Sequence, residues 1–169
     1  MTLSELNTCP APQAHDALFK CCGSDGWVKK MLSQRPFPNE AALFETAKTT
    51  WDDCKKEDWL EAFSHHPRIG DLKSLEKKFA TTGSWAKGEQ AGTTTANAET
   101  LKNLQTGNKE YEDKFGYIFL VCATGKTADE MLSILNSRLP NHPSDEMVIA
   151  KKEQAKITEI RLRKLLSEG

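Results

Sequence analysis

The feature that most constrains this chain is its recurring helix punctuation, with apolar residues at helical spacing in between. "PNEAALFETAKTTWDDC" opens on Pro38-Asn39, a natural N-cap with acidic residues behind it. Ala42, Leu43, Thr46, Ala47 and Thr50 then follow at helical spacing. "KKEDWLEAFSHHP" reads as a short amphipathic helix with Trp59, Leu60 and Phe63 on its apolar side. It ends near His65, because Pro67 biases the residue before it away from the α region. Asp71 is placed to cap a helix "LKSLEKKFA". "AETLKNLQTGNKEYEDKFG" reads as helix with Gly107 as a weak point or bend. "TADEMLSILNSRLPN" starts on Thr127 with Glu130 three residues on, a capping box, and Pro140 stops it. "SDEMVIAKKEQAKITEIRLRKLL" is the longest helical stretch.

One segment breaks this pattern. "YIFLVCAT", residues 117–124, is apolar, β-branched and aromatic, and alone it resembles a buried strand. A single strand has no partner elsewhere in the chain, so a buried extended segment or a helical turn between helices fits as well. Residues 80–97, "ATTGSWAKGEQAGTTTAN", read as a long central loop; a loop of that length in a compact domain is usually functional or disordered. The expected fold is all-α: a single-domain helical bundle over 1–169, with residues 1–15 peripheral and an active-site loop in the middle.

Charge and composition exclude several classes. With 23 basic and 24 acidic side chains the net charge is −1, without the basic excess of a nucleic-acid-binding domain. The longest apolar run, "YIFLVCA", has 7 residues, far below the ~18 of a membrane span. The N-terminus lacks the charged and apolar regions of a secretory signal, and "LLSEG" is not a peroxisomal address. Five cysteines at irregular spacing, with no Cys-x-x-Cys, fit reduced thiols in a cytoplasm better than a disulfide framework or a zinc ribbon.

Three features could carry chemistry. In the central loop, Glu89 and Gln90 place a carboxylate beside an amide, and Gly88 and Gly92 allow close approach of a small ligand; the bland reading is a solvated loop acid. In the last helix, Ala150, Ile157, Arg161 and Leu165 share a stripe, with Val148, Ala155, Leu162 and Leu166 on an adjacent face. Arg161 would then project from a buried arc, where a guanidinium needs an anion: a protein carboxylate or an anionic ligand. The third is "SHHPRIGD". His65 ends a helix, while His66 is pinned by Pro67, which would aim an imidazole able to act as acid or base. A capping or core role is the plain alternative for either. A metal pair is disfavoured, because adjacent histidines cannot easily face one ion and no further His or Cys lies three to five residues away.

Together these features resemble one family, the 2-oxo-4-hydroxy-4-carboxy-5-ureidoimidazoline (OHCU) decarboxylases of urate degradation. The matching segments are "HPRIGD", "GEQAG", "DKFGYIFLVCATG" and "KITEIRLRKLL", over residues from about 35 to 166. The resemblance implies an all-helical, cofactor-free and commonly dimeric enzyme without a metal. It would convert OHCU, formed by urate oxidation and hydrolysis of 5-hydroxyisourate, into (S)-allantoin and CO2. It implies His66 and Glu89 as catalytic residues. It also implies substrate contacts from Pro67, from Ala86, Lys87, Gly88 and Gln90, from the main chain of Phe119, Leu120, Val121, Cys122 and Ala123, and from Arg161. Many members carry a serine three residues before the glutamate, where this chain has Ala86; that hydrogen bond is missing here or supplied by Ser84 or water. The alternatives are a non-catalytic helical module that binds a ureide or a partner helix, and a metal hydrolase built on His65 and His66.

Overall fold

A computed structural model describes residues 1–66 and 98–167. The expected helix 72–80, the loop 80–97, and Pro67, Ala86, Lys87, Gly88, Glu89 and Gln90 lie outside the described residues. Among the described residues the fold is all-helical, with no strand. The helices are α1 (Leu3–Thr8), α2 (Ala11–Cys21), α3 (Asp25–Leu32), α4 (Glu40–Asp52), α5 (Lys56–Ser64), α6 (Ala98–Phe115), α7 (Ala128–Arg138) and α8 (Pro143–Ser167). The caps follow the sequence signals. Asn39 Oδ1 accepts the Ala42 N–H at 2.8 Å, and Thr127 and Glu130 form a reciprocal capping box. α5 ends at Ser64, with His65 as its C-cap.

The described residues group into two compact units. The first comprises α1 to α5 and α8 from Lys151 onward. Its core includes Leu6, Leu18, Trp27, Met31, Leu43, Phe63 and Leu162, all with no exposed surface; each such burial contributes about 1.5–3 kcal/mol. Leu6 and Ala14 come from the N-terminal stretch expected at the periphery, and both are fully buried. Each indole N–H in this unit donates to a backbone carbonyl: Trp27 to Ala47 at 3.1 Å, Trp51 to Lys151 at 3.0 Å and Trp59 to Trp51 at 3.0 Å. A large ring can therefore be buried without stranding its polar atom.

The second unit is built on α6 and α7, with the connection between them and the start of α8. Leu101, Leu104, Tyr111, Ala128, Met131 and Leu135 form its core. Gly107 does not bend α6, which runs unbroken from Ala98 to Phe115. It lets α7 come close: a Cβ there would lie 2.6 Å from Leu135 Cδ2. Residues 118–123 are neither strand nor helix but an irregular connection. Two glycines bracket it with positive φ, Gly116 at 83° and Gly125 at 75°, which side-chain-bearing residues rarely adopt.

Candidate active site

The two neighbouring histidines part company. His65 is exposed and its ring meets Phe19 edge-on, centroids 5.0 Å apart. His66 is half-buried, and its Nε2 lies 2.6 Å from Oε1 of Gln154 on α8. The pair therefore does not converge on a common ion. Among the described residues, no three His, Cys, Asp or Glu side chains are grouped to hold a metal.

Gln154 is fully buried, and its amide nitrogen donates to Thr158 Oγ1 at 3.1 Å. The Thr158 hydroxyl lies near Cys22, the residue after α2, and acts to lower the pKa of its thiol. Burial pushes the Cys22 thiol up to about 12, so it remains protonated at neutral pH. The chain from imidazole through amide to hydroxyl, with a neutral thiol nearby, thus carries no charge beyond what the imidazole brings. Burial likewise pushes Cys21 and Cys54 up to about 11, and none of the five cysteines is in a disulfide.

Arg161 follows Gln154 and Thr158 on the same face of α8, at i+7 and i+3. It is half-buried rather than enclosed. Its Nη1 lies 3.5 Å from the Lys20 carbonyl, a long contact at the C-terminal end of α2 where a cation is favoured. Among the described residues it has no carboxylate partner. Of the two partners open to it from sequence, a protein carboxylate is therefore absent there.

The sequence reading misjudged which face of α8 turns inward. The buried positions are Glu146, Ala150, Glu153, Gln154, Thr158 and Leu162, mostly polar, while Val148 and Ile160 are 49% and 43% exposed. Gln154 and Thr158 were missed for that reason. The available signal was their offset from Arg161, which puts all three on one face.

In the second unit, Phe119–Ala123 is fastened by a buried ion pair. Arg138 is 4% exposed and Glu146 has no exposed surface. Arg138 Nε donates to Glu146 Oε2 at 2.8 Å, and its Nη1 donates to the Leu120 carbonyl at 2.7 Å. Tyr111 donates its hydroxyl to the same carboxylate, and Asn141 Nδ2 donates to the other oxygen at 3.1 Å. Burial, reinforced by that bond to Glu146, holds the Tyr111 phenol far above its ordinary range. The guanidinium also lies 4.8 Å from the Phe119 ring centroid. Lys126 takes two further carbonyls, Cys122 through Nζ at 2.7 Å and Ala123 through its N–H at 3.1 Å. The segment was expected to offer both N–H and C=O groups. Three of its five carbonyls are engaged, whereas the N–H groups of Phe119, Leu120, Val121 and Ala123 have no acceptor among the described residues. It is thus chiefly a row of donors, suited to carbonyl or carboxylate oxygens.

Among the described residues, the first unit holds an amide-held imidazole and a guanidinium without a carboxylate, and the second holds a backbone segment rich in N–H donors; each is a group suited to a polar or anionic small molecule. The particular family follows from comparison. The OHCU decarboxylase family model matches residues 7–163, so the chain belongs to that family, and the match begins well before residue 35. The chain is 41% identical, over 88% of its length, to the uric acid degradation bifunctional protein TTL of Arabidopsis thaliana, of which it spans 46%. It is 31% identical to 2-oxo-4-hydroxy-4-carboxy-5-ureidoimidazoline decarboxylase of Amia calva, over 79% of this chain and 76% of that one. A crystal structure of OHCU decarboxylase in the presence of (S)-allantoin matches with a TM-score of 0.71 at 39% identity, covering 90% of this chain and 98% of that one.

Proposed function

We propose that this chain is a carboxy-lyase that converts OHCU to (S)-allantoin and CO2, without a cofactor, in urate degradation. Besides family membership, the observation that carries this reading is Arg161: a half-buried guanidinium with no carboxylate among the described residues, on the helix that also holds His66 through Gln154. No finding favours a non-catalytic ureide-binding module.

OHCU carries a carboxylate, a hydroxyl, an imine and a ureido group. As the C–CO2 bond breaks, its electron pair passes into the neighbouring C=N. A proton is then delivered to one face of the ring, which sets the chirality of the product. The protein must fix the ring and stabilise the charge that appears on it. In this proposal His66 handles the substrate hydroxyl or supplies the proton. Glu89 accepts ring or hydroxyl hydrogens, Gln90 reads the amide edge, and Pro67, Ala86, Lys87 and Gly88 line the site. The Phe119–Ala123 main chain donates to ring or ureido oxygens. Arg161 grips an oxygen of the substrate, and it helps the rate most if that oxygen gains charge in the transition state. A homodimer in the cytoplasm, with 1–169 as one domain, belongs to the same proposal.

OHCU generated in situ from urate by a urate oxidase and a hydroxyisourate hydrolase provides the test, with circular dichroism reporting (S)-allantoin. The expected result is a rise faster than the spontaneous one. A rate equal to the spontaneous one overturns the proposal. His66→Ala is expected to stay folded and lose on the order of 10²–10⁴-fold in rate; wild-type turnover in that variant removes His66 from the mechanism.

A further inference from the structure

We infer that Gln154 is a positioning residue that holds the His66 ring with its proton on Nε2, which leaves Nδ1 as the nitrogen where protonation changes. This inference rests on the acid–base role proposed for His66.

The geometry is a single chain of hydrogen bonds: His66 Nε2 to Gln154 Oε1 at 2.6 Å, and Gln154 Nε2 to Thr158 Oγ1 at 3.1 Å. Such a chain can run in two directions. In one, the imidazole N–H donates to the amide oxygen and the amide N–H to the hydroxyl. In the other, the hydroxyl donates to the amide oxygen and the amide N–H to an unprotonated Nε2.

The states of the ring select the first direction. An imidazole that exchanges a proton must be accommodated in both of its states. The imidazolium carries hydrogens on both nitrogens, and only an amide oxygen can face its Nε2. With the oxygen there, the same contact serves the neutral and the charged ring. With the NH2 there, each protonation would set two donors against each other in a side chain that has no exposed surface to turn in. The 2.6 Å contact suits a strong N–H···O bond.

The choice of an amide also matters. Its oxygen accepts a hydrogen bond but does not titrate, so it fixes the ring without the full charge with which a carboxylate would favour the imidazolium. The charged and titratable groups around the far end of the chain are the thiols of Cys21, Cys22 and Cys54 and the guanidinium of Arg161.

The first experiment needs no variant. Nitrogen NMR of protein labelled with 15N-histidine should show neutral His66 as the Nε2–H form, with Nδ1 titrating. A neutral ring carrying its proton on Nδ1 overturns the inference. Gln154→Met, close in size but without an acceptor, should give a mixture of tautomers and lose up to about 10²-fold in kcat with little change in KM. Gln154→Glu should keep the Nε2–H form and raise the His66 pKa by about 1–3 units, moving the acid limb of the kcat/KM profile with it. Unchanged tautomers in Gln154→Met, or an unmoved pH profile in Gln154→Glu, overturns the inference. The NMR result does not depend on turnover. If His66→Ala turns over normally while the wild-type ring is Nε2–H, the catalytic reading of His66 fails and the positioning stands.

Discussion

Arg138 and Arg161 show what burial does to the same side chain in two settings. Arg138 is enclosed, and every direction around it is answered: the Glu146 carboxylate, the Leu120 carbonyl, and the faces of Tyr111 and Phe119. Arg161 is half-buried, and among the described residues its hydrogen bond is a long one, to a carbonyl at 3.5 Å. A guanidinium cannot shed its charge, so a fully matched one is a structural member. One left short of an anion is available to a ligand. From sequence, the enclosed cation was assigned to Arg161; it is Arg138, which sequence reading passed over.

This contrast can be broken by experiment. The largest effect is expected from Glu146→Ala, which leaves the Arg138 charge buried without its partner. It should cost about 3–5 kcal/mol in a urea unfolding series. A loss under about 1 kcal/mol would mean that the pair does not fasten the second unit. Arg161→Ala should do the opposite, leaving unfolding within about 1 kcal/mol of wild type. It should lower kcat/KM for OHCU by on the order of 10²–10³-fold, equivalent to about 2.7–4 kcal/mol. If Arg161→Ala destabilises as much as Glu146→Ala, the two arginines are not different in kind. Tyr111→Phe sharpens the comparison by removing one hydrogen bond to Glu146 while keeping the ring; it should cost about 1.5–3 kcal/mol of stability.

The smallest effect is expected at His15, whose ion pair is on the surface. Its hydrogen bond to Asp25, against a smaller desolvation effect, raises its pKa above 6.5, while Lys29 and then His15 lower that of Asp25. A raised folded-state value means that the stabilisation is complete below the ordinary histidine range and fades as pH rises through the raised value. The Asp25 share fades at the acid end, as pH falls through its lowered value. Thermal melts of wild type and His15→Asn should therefore differ most near about pH 5 and converge by about pH 8. A gap that widens with pH would contradict the pairing.

How much was legible in the sequence depended on how local the cause was. Asn39, Thr127 with Glu130, and the stop at His65 follow from residues within one turn, and these boundaries agree with the structure. The first three helices went unread although α1 opens on a capping box of Thr2 and Glu5, a cause as local as the one at Thr127. "YIFLVCAT" was open between strand and irregular segment because its run is apolar throughout. What decides it is Arg138 at the Leu120 carbonyl, 18 residues away. The inward face of α8 was the hardest to see. Glu146 and Gln154 are buried because Tyr111, Arg138 and His66 answer them, and Gln154 is 88 positions from His66. Hydrophobic patterning finds faces that meet carbon, and this face meets polar groups from elsewhere in the chain. For the candidate site, sequence reasoning named His66, Arg161 and Phe119–Ala123. It did not name Gln154, whose importance is its distant partner.

The protonated thiols have a practical consequence for chemical labelling. Thiolate, not thiol, reacts with alkylating reagents, and the cysteines pushed to about 11 or 12 supply almost none at neutral pH. Cys22 also lies near Thr158, where the chain that holds His66 ends. Cys9, at the end of α1, is half-exposed. It is therefore the first position at which a fluorophore or spin label would attach, which gives the native chain a handle that leaves the His66 network untouched.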